Sequence, residues 1–202
     1  MAVAAEFMGT GVGASVDYLR GDGAVDFQRV EFSFNARTNT GRWTFASRFD
    51  AGAVFGNVPP QHLFEIGAEH NLPGYEYKEF AGNQAAVLRG IAMFRTNVLT
   101  APIRLVGRFW LPAAAPALSV SLQSGWTGAS NGAARESIAR LGSRAVPAPN
   151  VRLAAASTIT GDARASVAAG IRFFGGSVGL MMARPVDRAA PWKFQVDIGQ
   201  AF

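Results

Sequence analysis

The chain contains no cysteine, which excludes a disulfide framework, thiolate metal ligation and a cysteine nucleophile. No stretch reaches 18 uncharged apolar residues of helical character, so a membrane-spanning helix is excluded, although nearly half of the 202 residues are hydrophobic. Histidine is scarce: only His62 and His70 occur. A hydrolytic or metal site would have to combine one of them with Glu65 or Glu69; both are read instead as residues at the rims of the fold. A Gly-x-Ser-x-Gly elbow is missing. The Gly9-Thr10-Gly11-Val12-Gly13 run lacks the Lys and Ser/Thr of a phosphate loop and is read as a flexible strand segment. These absences point to a protein that is not an enzyme and takes no metal or cofactor. The first residues, Met1 to Glu6, lack a basic n-region and place Glu6 where the apolar core of a secretory leader would run, so they are not read as a leader. A chain destined for export would then be a fragment, or a piece starting inside a larger protein.

What is abundant is Gly (23 residues) together with Phe (15 residues), a pairing that suits an all-β protein with many turns. The net charge of +5 comes from arginines spread singly along the chain. That spacing reads as polar positions facing water, and no nucleic-acid partner is expected.

The governing pattern is a period of two. Val30, Phe32, Phe34 and Ala36 fall on one side of a strand, with Arg29, Glu31, Ser33, Asn35 and Arg37 on the other. After the turn at 38–41, Trp43, Phe45, Phe49, Ala51, Ala53 and Phe55 share a face, interrupted only by Ser47, while Arg42, Thr44, Arg48 and Asp50 share the opposite one. The alternation returns at Leu118-Val120-Leu122-Trp126, at Val167-Ala169-Ile171-Phe173, at Val178-Leu180-Met182 and at Trp192-Phe194-Val196-Ile198. Soluble barrels alternate too. Here, however, the strands run about ten residues or more, the length that crosses a bilayer at a tilt, and the polar face carries charges of both signs, as a wet interior would. The fold class expected is therefore all-β, an antiparallel transmembrane β-barrel with roughly nine to eleven strands in this chain. The strands starting near residues 3, 84 and 103 are the least marked.

The connections sort by length. Residues 174–176 and 56–62 read as short turns, 69–83 and 128–162 as long loops, the arrangement of short turns on one rim and long loops on the other. A single short helix is expected from Asn131 to Leu141, capped by Asn131, with Ile138 and Leu141 as its apolar stripe and Gly142 ending it. Tryptophans 43, 110, 126 and 192 fall near strand ends, as an interfacial aromatic girdle requires.

The last residues, Phe194-Gln195-Val196-Asp197-Ile198-Gly199-Gln200-Ala201-Phe202, resemble the closing strand and β-signal of the BamA/TamA-type outer-membrane assembly factors, also called bacterial surface antigens, and of the two-partner secretion pores. The preceding run, Gly176 to Pro185, resembles that superfamily's Gly-Pro-Leu strand ending in Ala-x-Pro. Phe64-Glu65-Ile66-Gly67-Ala68 followed by Leu72-Pro73-Gly74-Tyr75 resembles the strand and inward-folded loop that carry its Val-Arg-Gly-Phe/Tyr motif. Gln123-Ser124-Gly125 stands where the family has Asp-x-Gly. These pieces cover about residues 60–202 in the family's order.

The resemblance implies that residues 1–202 form one domain, the C-terminal portion of an outer-membrane barrel, contributing roughly nine of about sixteen strands. POTRA domains and the first strands would precede it. It implies a bacterial outer-membrane location and a role in inserting barrel proteins or moving polypeptide across that membrane. Its partners would be outer-membrane lipid, client polypeptides, and the assembly machinery that reads Phe194, Val196, Ile198, Gly199 and Phe202. A weak seam along residues 192–202 would let a client strand add by β-augmentation. Two departures stand out: Pro73 replaces the family's loop Arg, and Gln123 the Asp that holds it. With both halves of that pair gone, the loop would be held by packing of Tyr75, Tyr77 and Phe80, or by Glu76 and Glu79 meeting Arg89 or Arg95. The alternative reading of the chain is a passive channel or structural barrel; a soluble lipid-binding barrel is the third.

Overall fold

A computed structural model describes residues 2–7, 10–22, 26–68, 71–104, 110–143 and 157–199. Thirteen strands lie within them: β1 (Ala2–Phe7), β2 (Thr10–Gly21), β3 (Phe27–Thr40), β4 (Trp43–Gly56), β5 (Phe64–Ile66), β6 (Phe80–Gly82), β7 (Gln84–Arg95), β8 (Ile103–Arg104), β9 (Trp110–Leu111), β10 (Ala117–Gly128), β11 (Arg164–Phe173), β12 (Val178–Pro185) and β13 (Lys193–Ile198). Nine form one antiparallel sheet in the order β1-β2-β3-β4-β7-β10-β11-β12-β13, while β5 pairs with β6 and β8 with β9 in two small ribbons. The strands expected near residues 3 and 84 belong to the main sheet. The one near 103 does not: β8 pairs only with β9, Ile103 opposite Leu111.

The long strands form because their alternation is uninterrupted. β3 and β4 pair over their full lengths, Phe27 opposite Gly56 through Thr40 opposite Trp43. They are joined by Gly41 and Arg42, and Gly41 takes the left-handed conformation (φ +59°) that a two-residue hairpin turn demands. No ladder joins β1 to β13 among the described residues, and they are the outer strands of the sheet.

The two faces are inverted relative to a water-soluble sheet. The outer face exposes Tyr18, Phe32, Phe34, Phe45, Leu88, Leu118, Val120, Leu122, Ile171, Leu180, Met182, Phe194 and Val196. The inner face buries Thr44, Ser119, Ser121, Gln123, Thr127, Ser166 and Arg172. A contiguous apolar surface of this extent marks contact with something other than water. Aromatic residues bracket it. Trp43, Phe94 and Leu118 share one register row, and Trp126 lies eight residues further along β10. At ~3.4 Å per residue that is about 27 Å along a strand, or about 20 Å vertically at a tilt near 40°.

Residues 56–62 do not turn the chain into a further sheet strand, and Phe64–Ile66 is not part of the wall. The whole segment 57–83 is one connection between β4 and β7. It stands on the same rim as 22–26, 129–163 and 186–192, opposite the short turns 41–42 and 174–177 and the longer 96–116. The sequence misled because an apolar triplet flanked by Gly reads like any short strand, whatever it packs against.

The helix α1 (Gly132–Ser143) forms as expected, with the Asn131 Oδ1 accepting the Ala134 backbone N–H at 2.8 Å. It continues past Gly142 by one residue. Ile138 packs with Phe27, Val54, Val58, Leu63 and Ala81, sealing the long-loop rim.

Candidate functional site

Segment 57–83 folds back over the inner face, and that placement builds the site. Its stem is fixed by Asn83, which is 1% exposed. The Asn83 amide donates to the Val54 carbonyl (2.9 Å) and the Ser130 hydroxyl (2.6 Å), and its oxygen accepts the Ser130 N–H (2.9 Å). From there β5, β6 and the loop between them carry Ile66, Leu72, Tyr75 and Phe80 into an apolar cluster against Val87 of β7. Burying this cluster inside a polar-lined face gives the loop its own small core.

The tip, Leu72-Pro73-Gly74-Tyr75, is buried throughout. Gly125 of β10 leaves room for it: a Cβ there would meet the Ile66 Cδ1 at 2.9 Å and the Leu72 Cδ1 at 3.7 Å. Gly74 adopts φ +89° and lies against the β12 backbone, where an added Cβ would meet the Arg184 Cα at 2.8 Å. Only glycine satisfies both demands. Tyr75 is 2% exposed, and its hydroxyl donates to the Ala165 carbonyl (3.2 Å) and to the Asp187 carboxylate.

Charged contacts extend the docking across the sheet. Arg188 grips Glu79 with two nitrogens (2.6 and 2.9 Å) and lies 4.7 Å over the Tyr75 ring. Lys193 of β13 reaches Glu76 (2.7 Å), Arg164 of β11 reaches Asp187 (2.7 Å), and Lys78 pairs with Glu65 within the segment. Burial would raise the Asp187 pKa, but hydrogen bonds from Tyr75 and Arg164 outweigh it and hold the carboxyl below its ordinary value. Burial and the neighbouring Asp187 push the Tyr75 phenol well up. The hydrogen bond with Glu65 raises Lys78, and that with Glu79 raises Arg188.

The expected anchors are thus half right. Tyr75 and Phe80 do pack inside, whereas Tyr77 is 65% exposed and does not. Glu76 and Glu79 do find cations, but these are Lys193 and Arg188 rather than Arg89 or Arg95. Arg89 instead binds Asp50, which also accepts from the Ser33 hydroxyl (2.6 Å) and the Arg48 Nε (2.9 Å). Arg95 donates to the Gly41 carbonyl at 2.7 Å. Between the Asp50 group and the loop lies a cavity of about 410 Å³ lined by Glu31, Arg48, Phe64, Asn71 and Arg89, among others. Gln123 is buried on the inner face, and its Oε1 has no partner among the described residues. Sequence reasoning missed Asn83, Arg164, Asp187, Arg188 and Lys193. Asp187, Arg188 and Lys193 meet partners 112, 109 and 117 residues away, a separation that polar residues at the ends of β12 and β13 do not encode.

The remaining site residues lie on β13. Phe194, Val196 and Ile198 are exposed on the outer face, and Gly199 follows the strand at φ +135°. Asp197, on the inner face, is engaged by Arg172. Phe202 lies outside the described residues. His62 sits in the loop stem, its ring 4.3 Å from that of Phe27, while His70 and Glu69 lie outside the described residues.

No protein-family profile and no curated protein matches the chain. Solved structures do match: CdiB from Acinetobacter baumannii aligns with a TM-score of 0.56 at 12% sequence identity, over 96% of this chain and 30% of that one. The chain therefore spans under a third of the protein it aligns with, and what the likeness shows is the fold, an antiparallel β-barrel-type sheet.

Proposed function

We propose that this chain is the C-terminal part of a bacterial outer-membrane β-barrel that inserts barrel proteins into that membrane or passes polypeptide across it. The observation that carries the reading is the inversion of the sheet. Large apolar side chains cover the open face, while hydroxyls, amides and ion pairs cover the face on which the 57–83 segment folds. A sheet of this polarity is stable with hydrocarbon outside and water inside. The fold shared with CdiB and the family motifs around Leu72–Tyr75 and Phe194–Phe202 support the finer assignment.

The work in this reading is non-covalent. The docked loop controls the interior, and the β13 edge, paired on one side only among the described residues, offers backbone N–H and C=O groups to an incoming strand. The segment Phe194–Phe202 would be read by the assembly machinery. Lipid and client polypeptide are the partners, and the remaining strands of the barrel and any POTRA domains come from sequence outside these residues.

Heat-modifiable migration in detergent gels tests the orientation. A compact species that converts to a slower one on boiling, together with resistance to carbonate extraction, is the expected result. A folded monomer in plain buffer would sink it. POTRA repeats encoded upstream are expected for an assembly or translocation factor; a signal peptide immediately upstream would point to a small porin.

A further inference from the structure

The charges of the inner face do not balance within the wall. Glu31 is taken by Arg29, Asp50 by Arg48 and Arg89 together, and Asp197 by Arg172. The remaining carboxylate among the described wall side chains of that face, Asp17, stands opposite Glu31. Arg37, Arg95, Arg164 and Lys193 share the face, opposite Ala46, Ala117, Gly125 and Ala183 in the register. None of these four pairs with a wall carboxylate among the described residues.

The 57–83 segment carries the opposite sign. It holds Glu65, Glu69, Glu76 and Glu79 against a single lysine, Lys78, which Glu65 engages within the segment. Where the segment meets the short strands of the wall, Glu76 reaches Lys193 at 2.7 Å and Glu79 reaches Arg188 at 2.6 Å. The Glu79 carboxylate also accepts the Glu76 backbone N–H at 2.8 Å, which fixes the spacing of the two acids. An aromatic ring flanks each. Tyr75 precedes Glu76 and has the Arg188 guanidinium 4.7 Å over its ring; Phe80 follows Glu79 with the Arg164 guanidinium 6.0 Å over its own. The cations stay open to water: the Arg164, Arg188 and Lys193 side chains are 37%, 43% and 31% exposed. Ion pairs of that exposure are weak enough to exchange with another anion.

We infer that the lumen receives acidic polypeptide, and that the Tyr75–Phe80 turn stands in for it while docked. The occupant that fits is a segment with two carboxylates three residues apart beside an aromatic side chain. The carboxylates seat on Lys193 and Arg188, and the ring lies against a guanidinium. When the turn leaves, Glu76 and Glu79 leave with it, and these cations face the lumen without them. A basic segment meets cations in excess on the inner face and is disfavoured there. This chemistry names a client class for the proposed insertion or translocation role and rests on that reading.

The test folds the full chain in a non-ionic detergent, which leaves both openings reachable and adds no lipid charge. The probes are two fluorescent peptides with the sequence of residues 72–80, one carrying the natural glutamates and the other glutamine in place of both. Fluorescence anisotropy follows their binding to the parent and to Glu76→Gln with Glu79→Gln, which removes the resident carboxylates. At low salt this variant should bind the acidic peptide about tenfold more tightly than the glutamine peptide, the worth of two exposed ion pairs. The margin should collapse at ~0.5 M salt. The parent, whose own turn competes, should bind the acidic peptide less tightly than the variant does. Arg188→Gln with Lys193→Gln, added to the variant, should erase the margin. Glu79→Gln alone repeats the test should the double variant not fold. No preference between the peptides in the glutamate variants, a preference that survives loss of Arg188 and Lys193, or a parent that binds the acidic peptide as tightly as the variant overturns the inference and leaves the barrel reading standing. A parent chain with no heat-modifiable compact form overturns both.

Discussion

The wall has two unlike halves. At β3 and β4 it is made of strands of 14 residues each that pair along their whole length; at β12 and β13 the strands have 8 and 6 residues and share six register pairs. The long half stands on its own ladder, with Trp43 stacked on Phe45 outside and the Asp50 ion-pair group inside. The short half has fewer backbone hydrogen bonds and receives instead the ties of the 57–83 segment: Gly74 on β12, Tyr75 and Glu79 on the β12–β13 connection, Glu76 on β13. The difference teaches that the inward loop ties its tip to the short half, while its stem is held by the long half through Asn83 at the Val54 carbonyl and Arg29 at the His62 carbonyl.

Gly74→Val should break this comparison most strongly. A β-branched side chain at φ +89° against the Arg184 backbone costs on the order of 3 kcal/mol. It should expose 67–79 to protease while the β3–β4 hairpin stays protected, as limited proteolysis with peptide mapping would show. Asp50→Asn probes the other half. It leaves Arg89, whose side chain is 12% exposed, short of its charged partner, at about 2 kcal/mol. Hydrogen exchange should rise in β4 and β7 with the loop still docked; a loop released equally by both variants would erase the distinction.

Asp187→Asn weakens the charged acceptor shared by Tyr75 and Arg164, worth about 1.5 kcal/mol, and loosens the loop tip together with the Arg164 end of β11. The same group sets a pH dependence. Because the folded Asp187 is held below its ordinary value, its contribution is full above the unfolded carboxyl range near pH 4 and is lost as pH falls through the lower folded pKa. Loop protection followed from pH 7 down to pH 2 should fall in that acid window in the parent and lose this component in Asp187→Asn. The smallest effect belongs to Glu76→Gln. Its side chain is 66% exposed against Lys193, so a change of at most about 0.5 kcal/mol is expected.

How much of this was legible beforehand follows from range. The β3–β4 hairpin was readable because each position repeats the same contrast with its immediate neighbours, and the helix because Asn131, Ile138 and Leu141 lie within a few turns of one another. The inversion of the sheet was readable as well, since a polar face with Arg29, Glu31, Arg48 and Asp50 needs water. The partners of the loop were not. Arg89 looked available for Glu76 because its register was unknown; in the fold it lies directly opposite Arg48, and two like charges facing each other require Asp50 between them. Tyr75 and Asp187 are 112 residues apart, and nothing local in either connection records the other. The 64–66 triplet reads like a wall strand for a related reason: pairing with 80–82 across a returning loop leaves the same short apolar imprint as pairing with a wall strand.

The ties on the short half land on both sides of the bend between β12 and β13, Arg188 within it and Lys193 just past it. If β13 swings away from its neighbour, Lys193 travels with it while Arg188 and Asp187 stay near the pivot. The Glu76 contact is then pulled apart first, and the grip on Glu79 and Tyr75 hardly stretches. The hinge is therefore graded: the edge can yield through its most solvent-exposed contact while the plug keeps its two inner moorings.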